Sequence, residues 1–348
     1  MRRQSRSKVV ELGAFLVLAC ASQGAMAQSS VTLYGILDVG LQYTTRADGQ
    51  HSAINLQNYG NIPTIFGIRG SEDLGGGVSA IFELSQSFSM TNGMAGLPGE
   101  AFGWQSYVGL KGGFGKVTAG RQFSVLFDET VTFDPNYFAA YGGQAQLNPL
   151  SDIIVNNAIK YVSNNYGGFV FEGLVATGGV AGNFRSGRTL EIGMQYSHGP
   201  FSMSAALRQK NGAQTATADT SAQTEEIGVI AAAYKIGAAT LLAGVERTTG
   251  DLSPVKTVIW GGGRYDVSPD FQVRAAAYQT LSNDPQTGNP TLYVAGAVYS
   301  LSVRTQAYLN VGFSRNSAHS SQTVYEYGDA PLNGAHQFGV MAGITHRF

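Results

Sequence analysis

Apolar and polar side chains alternate near the start of the chain, in the stretch VTLYGILDVGLQY at positions 31–43. Val31, Leu33 and Leu37 share one face of an extended backbone, and Tyr34 and Asp38 share the other. A repeat of two residues is the period of a β-strand, because successive side chains point to opposite faces. The stretch therefore predicts a strand with one apolar and one polar face.

The same alternation recurs in fifteen further segments, which brings the predicted strands to sixteen. These segments lie at about 62–72, 78–90, 101–110, 116–122, 156–166, 169–177, 188–197, 201–209, 224–234, 239–248, 256–265, 271–280, 290–300, 302–314 and 336–348.

The connections between these strands alternate in length. Short turn sequences such as DLGGG at 73–77 and KGGFG at 111–115 alternate with longer polar segments at 123–155, 210–223 and 315–335. Short turns on one side and long loops on the other are typical of an outer-membrane β-barrel.

Two architectures could use sixteen half-apolar strands. Soluble sandwiches would need two domains and a linker, and the composition shows no break that could serve as one. A closed barrel leaves no edge strand and satisfies every backbone amide within a bilayer. We therefore predict an all-β fold, a 16-stranded antiparallel transmembrane barrel with its apolar face toward lipid.

The end of the chain agrees with closure. From Phe338 to Phe348 every second residue is apolar or aromatic except His346, although chain ends usually fray. A last strand that pairs with the first cannot fray, so the pattern predicts that Phe348 takes part in closing the barrel.

Composition narrows the class further. Charged residues make up only 13% of the chain, and 46 of its 348 residues are glycine. Soluble domains usually carry about 25% charged residues. Acidic and basic residues are nearly balanced, 23 to 22, which speaks against nucleic acid as a partner. Beyond position 27 no apolar run approaches the length of a membrane-spanning helix.

Positions 1–27 have the order of a signal peptide: basic residues, a short apolar run, and Ala25-Met26-Ala27. We expect cleavage before Gln28 and a single barrel domain over 28–348. A lipoprotein site at Cys20 is the alternative, with a loose match. Cys20 is the only cysteine, so no disulfide is expected in the mature chain.

Several motifs resemble the outer-membrane porins of Gram-negative bacteria, especially the betaproteobacterial general-porin group. They are SSVTLYGILDVGL, GIRGSEDLGGGVSAIFELS, YVGLKGGFGKVTAGRQ, NNAIKY and the terminal GITHRF, and they span the mature chain. The resemblance implies a homotrimer in outer-membrane lipid and passive diffusion of ions and small hydrophilic solutes. It also implies that Phe348 is read by the barrel-assembly machinery.

The resemblance further implies that the third extracellular loop, residues 123–155, folds into the pore as a constriction. The sequence FDETVTFDPNYFAAYGG within it carries Asp128, Glu129 and Asp134. By motif position, Asp134 is expected to face the narrowest section of the pore. The alternative is that these carboxylates only solvate the tip of the loop.

Relatives usually set a ladder of arginines opposite the loop, and this chain departs from that pattern at three positions. The positions of the ladder carry Ile65, Trp104 and Ile154. Alternation is expected to point all three into the lumen, because Phe66, Tyr107 and Ile159 are the natural outward residues of the same strands.

These departures predict a weakened anion preference, because charged rings set the ion selectivity of such pores and apolar constrictions tend to dewet. Asp134 and Asp38 would then favour cations, and Trp104 could stack with aromatic or amphipathic solutes. The alternative is compensation by Arg69 and Lys160, which share strand parity with Ile65 and Ile154 and could reach the constriction.

Arg121 has the strand parity of an outward residue. On the lipid face, an arginine costs free energy at mid-membrane but little near an interface. It could lie at the rim of the barrel, or an acidic residue of a neighbouring chain could cover it. Glu100 is a candidate for that trimer contact.

No enzyme, metal site or cofactor is predicted. GGFGK at 112–116 lacks the first glycine and the Ser or Thr of a phosphate loop, and the five histidines have no metal-ligand spacing. A substrate-specific channel, a structural or adhesin-like barrel and an outer-membrane hydrolase that uses His198 or His319 remain as alternatives.

Overall fold

The computed structural model describes residues 30–97, 99–143, 153–285 and 287–348. The predicted signal peptide and Gln28 lie outside the described residues. Within the described ranges no helix is long and apolar enough to cross a membrane.

The described residues form seventeen strands and one short helix. The strands are β1 Ser30–Thr44, β2 Ala53–Asn58, β3 Ile65–Gly75, β4 Val78–Ser87, β5 Gln105–Gly112, β6 Gly115–Phe123, β7 Ile154–Val162, β8 Phe169–Ala176, β9 Thr189–His198, β10 Phe201–Asn211, β11 Thr224–Ile236, β12 Ala239–Gly250, β13 Lys256–Ser268, β14 Phe271–Ser282, β15 Thr291–Ser300, β16 Thr305–Arg315 and β17 Gln337–Arg347. The helix α1, Val125–Val131, lies between β6 and β7.

Antiparallel pairing closes these strands into one barrel. β17 returns to β1, with Ile36 opposite Arg347 and Thr44 opposite Gly339. On its other edge β1 pairs with β2 along its second half and with β3 along its first half. β2 and β3 are therefore two halves of one barrel position, and the predicted 16-stranded antiparallel barrel is confirmed.

The sequence pattern missed β2. Residues 53–58 alternate only partly, and the chain leaves the barrel wall at 59–64 before β3 begins. An interrupted strand loses the long repeat by which the other strands were recognised.

The side chains point to the two faces of the barrel wall as the alternation predicts. Outward residues such as Leu33, Val108 and Leu207 are more than 60% exposed, and inward residues such as Gln42 and Ser204 are buried. Exposed apolar side chains around a closed sheet form a surface suited to lipid.

Phe348 completes the closing seam. Its N–H donates to the carbonyl of Gly35 at 3.0 Å, and the N–H of Gly35 donates to the carbonyl of Phe348 at 3.2 Å. A Cβ atom on Gly35 would lie 2.3 Å from Cζ of the Phe348 ring. A larger residue here would displace the terminal ring from its present position, and the paired backbone bonds support the predicted role of Phe348 in closure.

Segment 124–143, which follows β6, contacts side chains on the inner face of the opposite wall. Ser124 caps α1 by accepting the N–H of Phe127 at 3.0 Å, and α1 contacts β8, β9, β10 and β11. Further along, Trp260 of β13 donates its indole N–H to the carbonyl of Phe133 at 3.0 Å. Residues 144–152 of the predicted constriction loop lie outside the described residues.

The last connection, residues 316–336, meets that segment. The N–H of Glu326 donates to the carbonyl of Ala140 at 3.0 Å, and the rings of Tyr325 and Tyr141 lie 5.8 Å apart. The hydroxyl of Tyr325 also donates to the carbonyl of Asn58 at 2.6 Å. Two connections that are far apart in sequence are thus joined to each other, which the sequence did not predict.

Candidate functional site

Ile65, Trp104 and Ile154 come together in one apolar cluster with Ile153. Phe127 of α1 packs against this cluster, and Ile65, Trp104 and Ile154 are each less than a tenth exposed. The predicted juxtaposition of the three positions is present, but little of their surface is open. Their role in a constriction stays a prediction.

Tyr107 faces inward, so the expectation that it marks the outward face of its strand was wrong. It lies opposite Glu83 in the register of β4 and β5, and its hydroxyl donates to Oε2 of Glu83 at 3.1 Å. The outward residues of β5 are Val108 and Leu110, both exposed. Regular alternation would point position 104 outward, but Trp104 precedes the first residue of β5 and follows the path of the preceding loop.

Asp134 is completely buried and does not face an open channel as predicted. Its carboxylate accepts the N–H of Asn136 at 3.0 Å and the N–H of Phe138 at 2.9 Å. It also accepts the hydroxyl of Tyr278, on the inner face of β14. Both carboxylate oxygens are used in holding the loop, so Asp134 anchors segment 124–143 to the barrel wall.

Two arginines that the sequence reasoning missed lie next to this anchor. Arg264 of β13 donates from Nε to the carbonyl of Pro135 and from Nη2 to that of Thr132, each at 3.0 Å. Arg274 of β14 is its direct neighbour in the register and donates to the side chain of Asn61. They share inward parity with Trp260 and Tyr278, but they lie on other strands than the three ladder positions.

Asp38 is also completely buried, so it does not line the channel as predicted. It accepts the N–H of Gly60 at 2.8 Å, the hydroxyl of Tyr308 at 2.9 Å and the hydroxyl of Thr345 at 2.6 Å. These donors belong to the break between β2 and β3, to β16 and to β17. Asp38 therefore joins the elements on both sides of the closing seam.

Arg69 and Lys160 differ in exposure. Arg69 is exposed opposite Glu83, with its guanidinium carbon 5.0 Å from the centre of the Tyr34 ring. Lys160 is buried and pairs with Asp128 of α1 and, at 3.0 Å, with Glu172. Arg69 can contact solutes, whereas the ammonium of Lys160 is paired with carboxylates, one of which belongs to α1.

Glu129 of α1 is fully buried, and neither carboxylate oxygen has a hydrogen-bond partner. Burial, together with the nearby carboxylates of Glu172 and Asp128, raises the pKa of Glu129 to about 8 against the opposing effects of Gln195 and Lys160. The side chain is therefore neutral at pH 7. Ionisation would leave a buried charge without a hydrogen-bond partner between α1 and the wall.

We expect the attachment of α1 to weaken as the pH rises from about 4.5, the ordinary pKa of the side chain, to about 8. Over that window the detached segment loses a proton that the attached one keeps, and above it both are charged and the slope disappears. Current fluctuations of single channels should therefore increase across this pH range. In Glu129→Gln the current fluctuations should stay low over the whole pH range.

Glu326 supplies the control, because burial also raises its pKa to about 8 but it belongs to the connection 316–336. Glu326→Gln should leave the pH-dependent fluctuations in place if they come from α1. Fluctuations that persist in Glu129→Gln and vanish in Glu326→Gln would assign them to the other connection and contradict the prediction.

Arg121 and Glu100 pair within one chain, so the predicted contact with a neighbouring subunit is not needed. Nη2 of Arg121 lies 2.9 Å from Oε2 of Glu100, and Nε donates to the carbonyl of Gly103 at 2.6 Å. Arg121 faces outward near the loop end of β6, as expected for the rim. The pair therefore gives no evidence for a trimer.

The sequence model of the Gram-negative porin family matches residues 14–319. The chain belongs to the Gram-negative porins. Outer membrane porin protein 32 of Delftia acidovorans is 30% identical over 360 aligned positions, with 96% of this chain and 98% of that protein covered. An outer membrane porin protein of Bordetella pertussis is 26% identical, with 95% of this chain and 98% of that protein covered.

Solved structures agree. The anion-selective porin from Comamonas acidovorans superimposes with a TM-score of 0.81 at 26% identity and covers 92% of this porin and 100% of its own chain. OmpT of Vibrio cholerae, in its trimer form, has a TM-score of 0.68 at 16% identity, with 92% and 99% covered, and supports the fold alone.

These findings establish the porin as an outer-membrane β-barrel that forms a channel for passive diffusion of small solutes. The predicted family, function and location are confirmed. The relatives are channels rather than enzymes. Within the described ranges no cluster of His, Cys, Asp or Glu could hold a metal ion.

Proposed function

We propose that the porin is a general diffusion channel narrowed by segment 124–143, with residues 316–336 supporting that segment from the side. The observation that carries this proposal is the set of bonds from Trp260, Arg264 and Tyr278 to the segment. These donors lie on the inner faces of β13 and β14. In the strand order of the barrel, these two strands lie opposite β6 and β7, between which the segment is attached. Attachment on both sides of the barrel supports a path of the segment across the interior.

We further propose that the channel has a weak anion preference. Ile65, Trp104 and Ile154 carry no charge, and Lys160 is paired with two carboxylates. Arg264 and Arg274 offset the loss only in part, because Arg264 is bound to loop carbonyls and Arg274 is buried. Charged groups that are exposed to the lumen set the selectivity of such channels.

Reversal potentials in a KCl gradient test this proposal. We expect a small reversal potential with the sign of anion preference for the purified porin in a planar bilayer, and a shift toward cation preference in Arg69→Gln. Arg304→Gln, which removes a cation from an exposed turn between β15 and β16, should change nothing. A strong anion preference in the unmodified porin would contradict the proposal, and absence of conductance would contradict the channel itself.

A substrate-specific channel is the second candidate, favoured by the aromatic side chains of segment 124–143 and residues 316–336. Liposome swelling with solutes of graded size separates the two. A smooth decrease with solute size supports general diffusion, and saturation by one chemical class supports a specific site.

Three further features belong to this proposal. The porin is proposed to be a homotrimer, in line with the trimer form of OmpT, and native mass measurement in detergent tests this. Residues 1–27 are proposed to be a cleaved signal peptide. Phe348, placed at the seam beside Gly35, is proposed to be the residue that the barrel-assembly machinery reads.

A further inference from the structure

We propose that Tyr137 and Arg264 form a binding site for small aromatic carboxylates inside the channel. The inference rests on the proposed position of segment 124–143 within the barrel. The exposed face of the Tyr137 ring would stack on the ring of the solute, and the guanidinium of Arg264 would attract its carboxylate.

The site is built around an unusual backbone. Tyr137 and Phe138 both have left-handed backbone angles, with φ of 54° and 55°. Bulky residues rarely adopt this conformation, and such strain persists only where the surroundings enforce it. Here Asp134 enforces it by accepting the N–H groups of Asn136 and Phe138.

The strained turn buries one of its two aromatic rings and leaves the other exposed. Phe138 is 4% exposed and packs against Phe127, whereas Tyr137 remains 43% exposed. A large aromatic side chain left open on a fixed backbone is suited to contact with a solute, because little conformational freedom remains to be lost on binding.

Arg264 covers one face of the Tyr137 ring. Its guanidinium carbon lies 3.4 Å from the ring centre, within the range of a cation–π contact. Nε and Nη2 donate to loop carbonyls, and Nη1 donates to none of these. This nitrogen is the one from which a carboxylate would accept a hydrogen bond.

The charges around the ring favour an anion. Arg264 and its register neighbour Arg274 bring two positive charges, and Asp134 brings one negative charge that is already bound by Tyr278 and two N–H groups. An excess of positive charge beside an aromatic face selects a solute that combines a ring with a carboxylate. Benzoate is the simplest member of that class.

Block of the channel by benzoate tests the proposal. In planar bilayers we expect benzoate to reduce the KCl current of the porin in a saturable way. Acetate lacks the ring, benzyl alcohol lacks the charge, and cyclohexanecarboxylate lacks the aromatic face, so each should block more weakly. Equal block by cyclohexanecarboxylate and benzoate would overturn the proposed stacking.

Variants at Tyr137 locate the site. Tyr137→Phe keeps the ring and should keep the block. Asparagine accepts the left-handed backbone but lacks the ring, so Tyr137→Asn should raise the benzoate concentration that gives half-maximal block about fivefold. Tyr166→Asn removes an exposed ring from the turn between β7 and β8 and should have no effect.

The outcomes separate this inference from the proposed function. A conducting porin that benzoate does not block, or a Tyr137→Asn variant blocked as strongly as the unmodified porin, would overturn the aromatic carboxylate site alone. A purified porin without conductance would overturn the proposed channel as well.

Discussion

Asp38→Ala is expected to lower the free energy of unfolding of the barrel by about 3 kcal/mol or more, because three buried donors lose their acceptor and each costs about 1–3 kcal/mol. These donors are the N–H of Gly60 and the hydroxyls of Tyr308 and Thr345. They belong to elements on both sides of the closing seam, so the loss weakens closure itself. Folded and unfolded barrels are separated by gel migration after heating, which measures the change.

Two variants make the result specific. Asp38→Asn keeps an oxygen for Gly60 and Tyr308 and requires only the Thr345 hydroxyl to reorient, so its loss of stability should be clearly smaller. Asp73→Ala removes a carboxylate that accepts one exposed N–H, from Gly75, and should leave the unfolding temperature unchanged. Equal losses in Asp38→Ala and Asp73→Ala would show that the seam does not depend on Asp38.

Asp134→Ala is expected to detach segment 124–143 from β14 and to increase single-channel conductance. The substitution leaves the N–H groups of Asn136 and Phe138 and the hydroxyl of Tyr278 without their shared acceptor. Loss of these bonds should weaken the attachment by about 2–4 kcal/mol, and the left-handed turn at Tyr137 would relax with it. Conductance and its fluctuations in planar bilayers report the change.

The matched control is Asp219→Ala. Asp219 accepts the N–H of Ser221 in the exposed connection between β10 and β11, so the same chemical change is made away from the inner wall. Conductance should equal that of the unmodified porin. If Asp134→Ala also conducts like the unmodified porin, segment 124–143 either does not depend on Asp134 or does not narrow the channel.

Much of the barrel could be predicted because alternation is a local property. Whether Leu33 faces lipid and Tyr34 faces inward follows from the two-residue repeat alone, and the repeat ending at Phe348 predicts closure. The repeat fails where the chain leaves the wall. It missed β2 because residues 59–64 interrupt that strand. It misplaced Tyr107 because it extended the strand back through Trp104, although β5 begins only at Gln105.

The predicted constriction stays a prediction, and the structure brings only part of it together. Ile65, Trp104 and Ile154 do meet, yet they are buried beneath α1. Asp38 and Asp134 have inward positions, but each is surrounded by donors from distant parts of the chain. Strand parity reports a face and not whether another segment covers it.

The sequence by itself determined a closed, lipid-facing barrel, its family and the long connection after β6, since local periodicity, composition and motifs carry that information. Only the tertiary structure decided that Asp38 joins the seam, that Asp134 holds a strained turn, and that Arg264 lies over Tyr137. Arg264 and Pro135 are 129 residues apart, and no local pattern encodes which inner-wall side chain a connection will reach. Closure of the barrel brings them together, because it fixes the distance from β6 to the opposite wall that segment 124–143 has to span.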